Sequence, residues 1–205
     1  MITNTQTINL DGGELFTACL AQATRVVKQV LPNHLTNVTP DAEWDVRDLL
    51  AHMMQLISSV PVILQGGTPP AAEESLSGDT IDDSIDDVTV LWQAAADKAE
   101  AAIEIVDIDD TIQYHDQITP IENFLIEIAG DLLIHAWDLG EAIGMPVHFD
   151  PIIASAVMET TVIPNQFVLE DHGLFTEPIE PPANADMQTR LLALFGRSHA
   201  WRSAV

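Results

Sequence analysis

The chain has 205 residues and a mass of 22.3 kDa, the size of one ordinary domain, and its 47% hydrophobic content excludes a disordered or fibrous protein. Asp and Glu number 32 against 7 Lys and Arg, so the formal net charge is −25, and the imbalance comes mainly from missing base. Phosphate backbones and anionic lipid surfaces repel such a chain, which excludes nucleic acid and membrane surfaces as main partners.

The first ten residues are polar and are expected to fray. "MITNTQTINLDGG" lacks a basic start and an apolar stretch, so no secretory signal is expected. No run of 18 apolar residues suggests a membrane span, and a cytoplasmic location is the expectation. From Glu14 to Leu31 the apolar positions Leu15, Ala18, Cys19, Val26, Val27 and Val30 follow a helical period, which Pro32 closes. Cys19, the single cysteine, forbids an internal disulfide and a cysteine-only metal site, and reads as a small core residue. "PNHLTNVTPDAEW" is a loop. Asp45 then caps a second helix, "VRDLLAHMMQLISSV", with the acid Asp48 near its positive end; Pro61 is expected to kink or end it.

"QGGTPPAAEESLSGDTIDDSIDD" has no hydrophobic period and reads as an irregular loop. A third helix follows from Ser84 to Ile105, with Val88, Leu91, Trp92, Ala95 and Ala99 on one side. "DIDDTIQYHDQITP" is a turn or a small strand pair. Pro120 fits the first turn of a fourth helix, "IENFLIEIAGDLLIHAWDLGEAIG", which Gly144 and Pro146 end as C-cap and breaker. Another helix is expected over Ile152 to Leu169. After the Pro-rich "TEPIEPPANAD", a last amphipathic helix spans Asp186 to Phe195. The organisation is four main helices over 10–145 and a helical C-terminal extension over 146–205, packed as one domain. No internal repeat is present.

The fourth helix carries Asp131 and His135 four residues apart, hence on one face and adjacent along the axis. A carboxylate and an imidazole so placed can share a metal ion, provided a third ligand arrives from another helix. His52, flanked by Leu49, Leu50, Met53 and Leu56, lies on an interior-facing helix and is the natural donor. Two histidines and one carboxylate leave a coordination position open, as in catalytic rather than structural sites. Spacing alone favours a plainer arrangement: His135 and Asp131 as an i,i+4 pair, with His52 a hydrogen-bonded core histidine.

The pieces "EWDVRDLLAHMM" and "GDLLIHAWDLGEAIG", in this order and separation, resemble the DinB-like metal-binding superfamily and, within it, the mycothiol-dependent maleylpyruvate isomerase N-terminal domain branch. The tail "LFTEPIEPPANADMQTRLLALFGRSHAW" is similar to that of a subgroup described only as metal-binding. The resemblance implies an all-α, up-down four-helix bundle with an unusual chain path, and metal ligands at His52, Asp131 and His135. The isomerase has Glu where this chain has Asp131. It further implies a divalent metal, with zinc the first choice and nickel, iron or cobalt suited to the same ligands. A low-molecular-weight, mycothiol-like thiol would be cosubstrate, and small electrophiles would be isomerised or would accept the sulfur. The metal would supply the thiolate. A homodimer is compatible with this reading. The competing classes are a metal-dependent hydrolase, a non-catalytic metal-binding or stress-related module, and a plain interaction bundle.

Among other residues, Asp138 follows His135 by three and reads equally as its hydrogen-bond acceptor or as a packing aspartate. Trp44 and Trp137 read as core or loop-anchoring aromatics, and Glu127 as a solvated acid. His34, His115, His148, His172 and His199 lack ligand spacing. Arg190, Arg197 and Arg202 read as surface residues near a helix C-terminus. The acids of "GDTIDDSIDD" and "DIDD" suggest a solvated shell like that of salt-adapted proteins, with stability that rises with salt.

Overall fold

The computed structural model describes residues 10–42, 44–69, 85–114, 116–162 and 178–202. Helix α1, Gly12–Val27, starts at a capping box: the Asp11 side chain accepts from Glu14 N, and Glu14 accepts from Asp11 N. The box sets the start two residues before the expected Glu14. The helix also ends earlier than its apolar pattern, because Gln29 and Val30 bond back to Val26 and Val27 in a tightened turn. Pro32–His34 then form one 3-10 turn.

Helix α2, Val46–Leu64, is capped by Asp45, whose side chain accepts from Asp48 N at 3.0 Å. It runs through Pro61 rather than ending there. Pro61 lies one turn from the C-terminus, so the missing N–H removes a single helical bond, while Ile63 and Leu64 stay in the core. Helix α3, Ile85–Ile103, buries Val88, Trp92, Ala96 and Ala99, and the Trp92 indole N–H donates to Thr24 Oγ1 at 2.8 Å. Leu91, expected on the buried side, is exposed.

Of the two forms open to "DIDDTIQYHDQITP", the chain takes the strand pair: an antiparallel hairpin of β1 (Thr111–Tyr114) and β2 (Gln117–Pro120), with Thr111 opposite Pro120 and Tyr114 opposite Gln117. Asp116 in its turn takes the left-handed region, φ 60°, which aspartate tolerates. Helix α4, Ile121–Ala142, follows directly, with Pro120 in the cap position rather than in the first turn. Its first free N–H groups are satisfied by the chain before the hairpin: Ile121 N donates to Asp110 O and Glu122 N to Ile108 O. At its other end Ile143 is the C-cap and Gly144, φ 72°, turns the chain just after it as the expected stop: Met145 N bonds Gly140 O and Gly144 N bonds Glu141 O.

Helix α4 is buried along most of its surface and is the central element, with a polar stripe that carries Asp131, His135 and Asp138. Helix α1 packs on α4 and α3, and α2 packs on α3 and α4. The ring of neighbours is therefore α1–α4–α2–α3, which places sequential α1 and α2 on a diagonal. The fold is all-α apart from the hairpin, as expected. Helix α5, Pro151–Val157, capped by Asp150, continues into a π-helical turn, Met158–Val162, and α6 is Met187–Leu194, capped by Asp186. Val147, Phe149, Leu191, Leu192 and Phe195 join the same core as α1–α4. Most of the start expected to fray, most of the acidic loop and the last seven residues of the helix expected up to Leu169 lie outside the described residues. Among the described residues, no helix is long and apolar enough to cross a membrane.

Candidate metal centre

Helices α2 and α4 bring His52, Asp131 and His135 together. His52 Nε2 lies 3.4 Å from Asp131 Oδ2, and His135 Nε2 lies 3.1 Å from Asp131 Oδ1, so each carboxylate oxygen faces one imidazole. One ligand atom of each residue lies within 4.8 Å of the others, and this is the one such group of three among the described residues. Donor atoms about 2.0–2.2 Å from one shared ion stand about 2.8–3.6 Å apart. The separations of 3.1 and 3.4 Å fall inside that range, each on a different oxygen of Asp131, while the three ligand atoms as a group lie within 4.8 Å of one another. The donor chemistry suits a divalent metal, about which the three side chains would draw slightly closer. His135 is almost fully covered, whereas His52 and Asp131 keep 27% and 18% of their side-chain surface open. The triad thus has one side in the core and one side that reaches solvent.

Trp44 closes part of the open side. Its ring centroid lies 4.6 Å from that of His52 and 5.7 Å from that of His135. It is a wall of the site, more than the loop anchor that sequence position suggests. The loop before α2 holds it there: Thr39 Oγ1 donates to Trp44 O, and Trp44 N donates to Asp41 O. Trp137 is a core aromatic as expected.

Behind the triad, Asp138 is fully buried and accepts from His135 Nδ1 at 3.1 Å. Of its two sequence readings, the structure shows the acceptor. This bond occupies Nδ1 and leaves Nε2 to face Asp131. Arg197 lies on the far side of Asp138. Its Nη2 donates to Asp138 Oδ2 at 3.0 Å and to Asp41 Oδ2 at 2.7 Å, its Nε lies 3.3 Å from both Asp138 oxygens, and its Nη1 donates to Phe195 O.

Arg197 is only 4% exposed, so the surface placement read from the sequence is wrong. The reason is Gly196, φ 72°, which ends α6 in a Schellman turn: Arg197 N bonds Leu192 O and Gly196 N bonds Ala193 O. The turn takes Arg197 off the helix that carries exposed Arg190 and aims it at α4. The "FGR" sequence held that signal, since a glycine just past a helix marks a change of direction.

The electrostatics follow the contacts. Burial alone pushes the Asp131 carboxyl up, but the neighbouring His135 charge and hydrogen bonds from His135 and His52 hold it well below the usual range. Burial alone pulls the His135 imidazolium down, but the Asp131 and Asp138 carboxylates push it up to about 9. One turn before Asp131, exposed Glu127 accepts from the Tyr114 hydroxyl at 3.0 Å. Burial, with Glu127 and Asp131 nearby, pushes that phenol above its ordinary value.

Among the described residues, the remaining histidines stay outside the site. His34 Nδ1 accepts from Leu31 N in a local turn, and His148 and His199 are exposed. His115 and His172 lie outside the described residues. Burial pushes the Cys19 thiol up to about 12, consistent with an inert core residue.

The sequence model of the family described as mycothiol maleylpyruvate isomerase N-terminal domain matches residues 16–140, the stretch that holds the whole triad. No curated protein and no solved structure matches the chain.

Proposed function

The chain belongs to the mycothiol maleylpyruvate isomerase N-terminal domain family, and we propose that in this member His52, Asp131 and His135 hold one divalent metal ion and use it on a low-molecular-weight thiol. The observation that carries the reading is the convergence of the three side chains from α2 and α4, with one side of the cluster open. A divalent ion bound there supplies Lewis acidity, which makes a thiolate available at neutral pH. Zinc is the first choice, and nickel, iron and cobalt suit the same donors.

The chain's own residues do the rest. Before an ion binds, Asp131 holds both imidazoles in register, one on each oxygen. Asp138 fixes the ring of His135 through Nδ1. Trp44 covers one flank of the cluster and restricts water there. A thiolate formed on the open side can add to an activated double bond, permit rotation and leave again, which isomerises the substrate. Transfer of the sulfur to a small electrophile needs the same first step. Because the open side would admit water equally well, metal-assisted hydrolysis is the second reading.

The test is metal analysis of protein purified without a histidine tag. Wild type should carry about one equivalent of a divalent metal, and His52→Ala and His135→Ala should carry far less. Equal, negligible metal in all three would end the reading. A panel of thiols and electrophiles, run on metal-loaded protein, then separates a thiol-using enzyme from a hydrolase and from a module that only binds metal.

A further inference from the structure

We infer that Arg197 is a positioning residue for the triad: it fixes Asp138, Asp138 fixes the His135 ring, and the C-terminal tail thereby sets the metal affinity of the helices. The inference rests on the metal reading above and extends it to a residue outside the matched stretch 16–140.

Asp138 has no exposed surface. A buried carboxylate needs a counter-charge and a full set of donors to hold one orientation. Arg197 supplies both. Asp138 Oδ2 receives Arg197 Nη2 at 3.0 Å and His135 Nδ1 at 3.1 Å, so the oxygen that orients the histidine is the oxygen the guanidinium grips.

The guanidinium is itself pinned from two directions. Phe195 O accepts from Nη1 at 3.0 Å, and Asp41 Oδ2 accepts from Nη2 at 2.7 Å. Asp41 belongs to the loop that carries Trp44, so the same arginine ties the tail, the centre of α4 and the wall of the site together. A planar fork with several donors suits this task, and an ammonium does not reproduce it. Removing the guanidinium leaves nothing to aim Asp138 at Nδ1, and the His135 ring loses the contact that presents Nε2 to Asp131.

The test uses cobalt(II) as probe, titrated into the full chain in competition with a chelator, with circular dichroism as the control for folding. Arg197→Gln should weaken binding about ten- to a hundredfold, as loss of a partner behind a metal ligand does, and should alter the visible cobalt spectrum. Arg197→Lys should fall between. In an Asp138→Asn background, Arg197→Gln should add almost nothing, because both changes break one chain of contacts. Wild-type affinity in folded Arg197→Gln, or an effect that adds in full to that of Asp138→Asn, would overturn the inference.

Nuclear magnetic resonance of the metal-free protein keeps the two readings apart. If wild type binds no cobalt, the metal reading falls, and the His135 ring signals decide the positioning role: moved in Arg197→Gln they support it, unmoved they refute it. If Arg197→Gln does not fold, Asp41→Asn at the outer end of the network takes its place. A several-fold loss of cobalt affinity, or in the absence of cobalt binding a shift of the same ring signals, is expected, and wild-type behaviour in the readout used refutes the role.

Discussion

At the scale of single residues, His135 joins the chemistry of the site to the stability of the fold. In the metal-free protein its imidazolium is opposed by burial and favoured more strongly by Asp131 and Asp138, which raise it to about 9 from 6.5. A basic group raised in this direction contributes stability that is complete below the unfolded value near 6.5 and lost as pH rises through about 9. Asp131, held low, contributes above the ordinary carboxylate value and loses its contribution as pH falls below it.

Metal binding needs His135 without that proton, so the metal must displace it. The chelated protein should therefore lose thermal stability between about pH 6.5 and 9, while the metal-loaded protein should not show that decline. Metal affinity should rise over the same interval. Calorimetric melting curves of both forms across this range are the check, and identical pH profiles would contradict the coupling.

His52, Asp131 and His135 were legible as a group because each reports locally. Asp131 and His135 share a helical face by their spacing, and His52 sits among apolar neighbours that turn inward. Spacing alone still favoured a simple acid–histidine pair; the resemblance to the family was what pointed to a metal. Arg197 was not legible as a partner, because its contact with Asp138 spans 59 residues and depends on how the tail packs. Trp44 was missed for a related reason: a loop residue shows no period that tells which side it covers.

At the scale of elements, helix ends were read well where a side chain or a glycine marks them. Asp45 caps α2 and Gly144 ends α4 where the sequence suggests. Errors arose where tertiary packing outweighs a local signal. Pro61 did not stop α2, because burial of Ile63 and Leu64 holds the last turn. Leu91 did not face inward, because the buried stripe of α3 follows Val88, Trp92, Ala96 and Ala99.

Helix α4 carries Asp131, His135 and Asp138, so its C-terminal half sets the site. There Gly140 lets the chain after the helix cross closely. A Cβ at that position would run into Val147 Cγ2 and lie 2.6 Å from Met145 O. Gly140→Ala should therefore destabilise the protein by about 1–3 kcal/mol through overpacking. That outweighs the gain of at most about 1 kcal/mol in helix propensity. Denaturant unfolding measures the difference, and an unchanged or increased stability would show that the crossing relaxes without cost.

At the scale of the whole molecule, the 32 acids do more than one job. Asp11, Asp45, Asp150 and Asp186 cap helices, and Asp131 and Asp138 are turned into the site with histidine or arginine against them. With only 7 Lys and Arg in the chain, the burial of Arg197 between two aspartates is a concentrated use of scarce positive charge. The ring order of α1, α4, α2 and α3 explains why the two motifs, far apart in sequence, meet: α2 and α4 are neighbours although α3 and the hairpin lie between them in the chain. That neighbour relation is a property of the complete fold, and neither motif announces it alone.

The central claim is that the three side chains share one ion. Diffraction from crystals of zinc-loaded protein, collected across the zinc absorption edge, tests it most directly. One anomalous peak is expected within about 2.0–2.2 Å of His52 Nε2, a carboxylate oxygen of Asp131 and His135 Nε2. A peak elsewhere, or no peak with the triad closed on itself by hydrogen bonds, would contradict it.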